Sequence, residues 1–119
     1  MRDRLILLPG WAFSSAALEP LAELLRDREP RLQVDIAPLP TLDRPEAWLD
    51  ELDARLPVDS WLGGWSLGGM LATQLAARRG DNCPGLITLC SNPCFRSRAD
   101  WPTAMPAEVF DAFEEAFRL

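Results

Sequence analysis

The chain has 119 residues, 48% of them hydrophobic and 25% charged, a balance that excludes a disordered segment and suits one soluble domain. Its formal net charge of -6, with no basic run to contradict it, excludes a nucleic-acid-binding role. There is no histidine, and Cys83, Cys90 and Cys94 stand at no metal-ligand spacing, so no metal and no cofactor are expected and a reduced, cytoplasmic protein is the simplest account.

The first apolar run, Leu5-Ile6-Leu7-Leu8, is closed by Pro9-Gly10. It is too short for a signal peptide or a membrane span and reads as a strand buried on both faces, as in a parallel sheet. Residues Ala16 to Arg28 follow a helical period, with Leu18, Leu21, Leu24 and Leu25 on the apolar side. Pro20 is tolerated only in a first turn, which starts the regular helix near Leu18 or Glu19. Leu32 to Ala37 alternates like a strand and stops at Pro38. A second amphipathic helix runs from Asp43 or Arg44 to Leu56, with Trp48, Leu49, Leu52 and Leu56 as its buried stripe. Ser60 to Gly64 is a third strand, Leu67 to Arg79 a third helix capped by Gly80, and Gly85 to Cys90 a fourth apolar strand. Beyond Ser91 the chain is loop-like until a last amphipathic helix with Val109, Phe110, Phe113 and Phe117 apolar. Strands alternating with helices imply βαβ units, hence an α/β fold with a parallel sheet and helices on both faces.

The junction between the third strand and third helix carries the chemistry. Gly64-Trp65-Ser66-Leu67-Gly68 fits G-x-S-x-G, in which a strand reverses sharply into a helix and throws a serine out at the bend. The flanking glycines are needed because strand and helix nearly touch there. A serine nucleophile also needs a base for its proton and backbone N–H groups aimed at the developing oxyanion. The Leu67 amide is one such donor, and Trp11, in the loop after the first strand, is placed to give the second. Ligands of open parallel sheets bind beyond the carboxyl ends of the strands, so Trp11, Ser66, Leu67 and the loop from Ser91 to Phe95 face one pocket. Trp65 and Phe95 are candidates for its lining, although strand alternation serves Trp65 equally well as a core residue. Cys90 and Cys94 read as small buried hydrophobes, Asp35 as structural, and Arg96 and Arg98 as a solvated loop pair.

These segments together resemble a known family. Leu7-Leu8-Pro9-Gly10-Trp11, Trp61 through Gly69, and Ser91-Asn92-Pro93-Cys94-Phe95 through Asp100-Trp101-Pro102 look like the carboxylesterases of biotin synthesis, α/β-hydrolases that cleave the methyl ester of pimeloyl-acyl carrier protein. The W-S-L-G-G elbow is shared widely among α/β-hydrolases, and the Ser91 to Pro102 loop is the more discriminating match. The resemblance implies a partial α/β-hydrolase fold with sheet order 2-1-3-4, residues 1–95 forming the core and 96–119 the start of a helical lid. It implies Ser66 as nucleophile, with Trp11 and Leu67 as the oxyanion pair. It also implies a small-molecule or carrier-protein-bound ester as substrate, with no membrane and no nucleic acid as partner.

The chain departs from the family pattern in three ways. Pro9-Gly10 stands where His-Gly is common, a change backbone amides should tolerate. The antiparallel strands that usually precede the first motif are missing. The family's acid and histidine follow later strands than this chain has, so it is expected to be inactive alone, and association-prone where a full-length enzyme would be monomeric. The alternatives are a non-catalytic acyl-binding domain on the same fold, or another α/β-hydrolase such as a C–C hydrolase or lipase.

Overall fold

The computed structural model describes residues 3–41, 44–116 and 118. Four strands, β1 (Asp3–Leu8), β2 (Leu32–Ile36), β3 (Trp61–Trp65) and β4 (Leu86–Leu89), form one parallel sheet in the order β2-β1-β3-β4. Helices α1 (Glu19–Arg28), α2 (Pro45–Arg55) and α3 (Leu67–Arg79) make the crossovers, and α4 (Ala107–Ala116) comes after a long loop. A 3-10 turn over Ser15–Leu18 leads into α1, so the helix becomes regular where Pro20 allows it. Asp43 and Phe117, at two of the expected helix ends, lie outside the described residues.

Strand alternation divides the core into two layers. Leu5, Leu7 and Val34 pack with Leu18 and Ala22 under α1. Ile6, Leu8 and Leu62 pack on the other face with Leu52 and Leu56 of the α2 segment and with Leu71, Ala72 and Leu75 of α3. The expected α2 stripe is therefore the packed one, with Trp48 and Leu49 partly buried at its edge. On α1 the expectation needs correction: Leu24 is 50% exposed and Ala22 takes the buried place. At about 100° per residue, Ala22 lies about 40° from Leu18 and about 60° from Leu25 on the helix surface, whereas Leu24 lies about 120° and about 100° from them.

The two helices on the second face are joined by Arg79, whose guanidinium is buried. It donates to the carbonyls of Asp53 (3.0 Å), Leu56 (2.7 Å) and Pro57 (2.8 Å) and pairs with the Asp53 carboxylate at 2.9 Å. Those carbonyls close the C-terminal end of α2, where a cation is favoured and orphan acceptors need donors.

Packing is looser from β4 onwards. Every residue of β4 is exposed, although three of its four are apolar. Cys90 is exposed rather than buried, in the left-handed region at φ 48°, because the chain turns there at the end of an edge strand. Cys94 is half-buried, its thiol donating to the Arg96 carbonyl. No described residue of α4 is buried.

Candidate active site

The turn from β3 into α3 is built from backbone contacts. Ser66 has φ 55° and ψ -117°, outside the regions an L-residue ordinarily occupies. Such strain costs on the order of 1–3 kcal/mol and persists only where the surroundings over-determine it. Here they do. A Cβ on Gly64 would overlap the Gly68 carbonyl, and one on Gly68 would overlap the carbonyls of Leu8 and Pro9. Strand, helix and the loop after β1 thus meet at van der Waals range, which only glycine permits.

Three hydrogen bonds fix the peptide groups of Ser66. Its N–H donates to the Leu89 carbonyl at 2.9 Å, and its carbonyl accepts from the Met70 N–H at 3.1 Å and from the Ser91 hydroxyl at 2.9 Å. Leu67 is the first residue of α3, where the N–H has no intrahelical acceptor and the helix favours negative charge.

The loop after β1 lies against this turn. Gly10 approaches the Trp65 ring so closely that a Cβ there would sit 3.2 Å from it. Phe13, in the same loop, sets its ring 4.7 Å from that of Trp65, inclined by 54°. Trp65 packs on the α1 layer of the core below. Trp65 therefore joins core and loop. Trp11 lies in the turn directly after Gly10 and is 66% exposed, and Ala12 beside it has φ 65°.

Ser66, Leu67, Trp65 and the Trp11 loop come together at the carboxyl ends of β1 and β3. Phe95 is less closely joined: it lies in the loop beyond β4, exposed, its carbonyl accepting from the Met105 N–H at 2.9 Å. Sequence reasoning missed Phe13, although an aromatic in the same loop as Trp11 was a usable signal. It also placed Ser91 only as part of a loop, and no sequence signal reveals a hydroxyl bonding to a specific carbonyl. Asp35 is structural as expected, facing Arg4 at 3.8 Å on β2. Arg96 and Arg98 pair with Asp111 and Asp100. Arg96 holds the Asp111 carboxyl below its ordinary pKa through their hydrogen bond, and its own pKa is raised by the same bond.

A cavity of about 360 Å³ is lined by Asp3, Leu5, Glu29, Arg31, Leu32, Trp61 and Ile87. These residues sit at the amino ends of the strands, the opposite edge from Ser66, and include no nucleophile. Among the described residues no cluster of His, Cys, Asp and Glu is arranged to hold a metal ion, and no helix is long and apolar enough to cross a membrane.

A parallel sheet wound by helices, with a strained serine between strand and helix at its carboxyl edge, is the architecture of the α/β-hydrolases. The alpha/beta hydrolase fold family matches residues 8–115, and the chain belongs to that family. It is similar to the pimeloyl-[acyl-carrier protein] methyl ester esterase of Shewanella sp. (strain MR-7), with 39% identity over 120 residues, 93% of this chain and 44% of the relative. It is 37% identical over 118 residues to the protein of that name from Xylella fastidiosa (strain 9a5c), covering 93% of this chain and 45% of the relative. It is also 37% identical over 122 residues to the biotin biosynthesis bifunctional protein BioHC of Cellvibrio japonicus (strain Ueda107), covering 98% of this chain and 24% of that protein. The chain thus spans less than half the length of these curated relatives.

Proposed function

We propose that Ser66 is the nucleophile of a serine carboxylesterase and that this chain supplies the nucleophile and oxyanion half of the active site. The observation that carries the reading is the left-handed backbone of Ser66 inside G-x-S-x-G, locked between β3 and α3. A strained non-glycine conformation is kept where function uses it.

In the reaction, Ser66 Oγ attacks the ester carbonyl carbon while its proton passes to a base. The Leu67 and Trp11 amides stabilise the resulting oxyanion. Collapse breaks the bond to the alkoxide, which takes up the proton and leaves as the alcohol. Water then attacks the acyl-serine in the same way, releasing the acid and restoring the hydroxyl. The chain has no histidine, so the base is supplied from outside it. Removing the base from such a set lowers turnover by about 10^6. The relatives' names support a methyl ester of a pimeloyl-[acyl-carrier protein] as substrate. In this reading Trp11, Phe13, Trp65 and Phe95 form the apolar wall for its chain, and residues 96–119 begin a lid.

The test supplies the base in solution. With imidazole present, the chain should release methanol from a pimeloyl methyl ester faster than imidazole alone, and Ser66→Ala should fall to that background. A wild-type chain no faster than background overturns the reading. The lack of histidine also favours a second reading, a non-catalytic acyl-binding domain. That reading predicts saturable binding of the same ester with no imidazole-dependent release.

A further inference from the structure

We propose that Ser91 is a positioning residue that sets the direction of the Leu67 N–H by clamping the carbonyl of Ser66. Its catalytic consequence rests on the reading of Ser66 as nucleophile; the clamp itself does not.

The carbonyl of Ser66 and the N–H of Leu67 belong to one peptide group, which is planar and trans, so the two point in opposite directions. Whatever fixes the carbonyl therefore aims the N–H. The Ser91 hydroxyl donates to that carbonyl at 2.9 Å, beside the bond from the Met70 N–H at 3.1 Å. The Met70 bond belongs to any helix starting at this point, whereas the Ser91 bond needs a side chain turned back from a neighbouring strand. Two local features are arranged around it. Cys90, with φ 48°, bends the chain immediately after β4, and Ser91 follows it at the elbow. Gly69 leaves room for it: a Cβ there would lie 2.7 Å from both Cβ and Oγ of Ser91. A carbonyl that accepts a hydrogen bond also makes the amide attached to it a stronger donor. Ser91 thus both orients and strengthens the oxyanion donor while standing one peptide away from the reacting atoms.

Two readouts on the whole chain test this. The first is independent of catalysis: the Leu67 amide and Ser66 carbonyl-carbon resonances in labelled protein. Both should move in Ser91→Ala and return in Ser91→Thr, which restores the hydroxyl. If neither moves in Ser91→Ala, the clamp is refuted whatever Ser66 does. The second readout is phosphonylation by a fluorophosphonate with imidazole as base, in which the Oγ–P bond forms, the P–F bond breaks, fluoride leaves and imidazole takes the proton. Ser91→Ala should lower the maximal rate about threefold to tenfold, the range a single lost hydrogen bond gives, with half-saturation unchanged. Ser91→Thr should recover it. An unchanged maximal rate, or equal loss in both variants, overturns the positioning role. Should Ser91→Ala fail to fold, Ser91→Cys, similar in size but a weaker donor, must show the same resonance shifts for the proposal to stand. Failure of the unsubstituted chain to label at Ser66 would count against the nucleophile reading alone, since the resonances still decide the clamp.

Discussion

The elbow and the chain beyond β4 are held together by different means. At the elbow, β1, β3 and α3 touch through backbone atoms, with Gly64 and Gly68 at the contacts and the peptide groups of Ser66 bonded on both sides. Beyond it, β4 is exposed along its whole length, and α4 is tied to its preceding loop by the Arg96–Asp111 pair, with no buried residue among those described. Backbone packing cannot adjust to an added atom, whereas an exposed pair or an exposed apolar face gives way at little cost. The strained serine is housed in the first kind of structure, which is what strain requires.

Substitutions should expose that contrast most sharply at Gly68. Gly68→Ala drives a methyl into the carbonyls of Leu8 and Pro9, and should cost about 4 kcal/mol in urea unfolding because only backbone is available to move. Arg79→Ala should cost about 3 kcal/mol, since it leaves the Asp53 carboxylate and three carbonyls at the end of α2 without their donor. Ser60 has a buried hydroxyl with no hydrogen-bond partner among the described residues, so Ser60→Ala should raise stability by about 1 kcal/mol. In the second region, Val109→Ser on the exposed face of α4 should change stability by less than about 0.5 kcal/mol. A loss as large as that at Gly68 would show α4 to be packed like the elbow.

Acid should act on the second region through Asp111. The hydrogen bond from Arg96 lowers the pKa of Asp111 in the folded chain, so the contribution of the carboxylate is present above its unfolded pKa and disappears as pH falls through the lowered one. The raised pKa of Arg96 keeps its side of the pair charged until strongly alkaline pH. Limited proteolysis between Phe95 and Asp111 should therefore accelerate in acid, and Asp111→Asn should bring that susceptibility to neutral pH. Equal protection of the variant at neutral pH would remove the pair from the account.

The sequence made the elbow legible because its demands are local. The glycine spacing, the apolar strand before it and the Leu67 to Arg79 period all follow from chain geometry, and α3 has those bounds. The parallel sheet with helices on both faces followed from the alternation of strands and helices, whereas the strand order came from the family resemblance. The features that escaped a reading of the sequence depended on neighbours. An apolar β4 reads as buried unless one knows it lies at the sheet edge, and Cys90 reads as buried for the same reason. Leu24 shows the limit of counting leucines where a smaller residue has the better angle. The Phe13–Trp65 pair and the Ser91 hydroxyl bond join segments far apart in sequence, so only the fold brings them into view.

The central claim is that the hydroxyl held at this strained turn is the reacting group, and covalent labelling tests it most directly. The chain treated with a fluorophosphonate and imidazole should gain one adduct by intact mass, mapped by peptide sequencing to Ser66 and absent from Ser66→Ala. An adduct on another residue, or none in the unsubstituted chain, would contradict it.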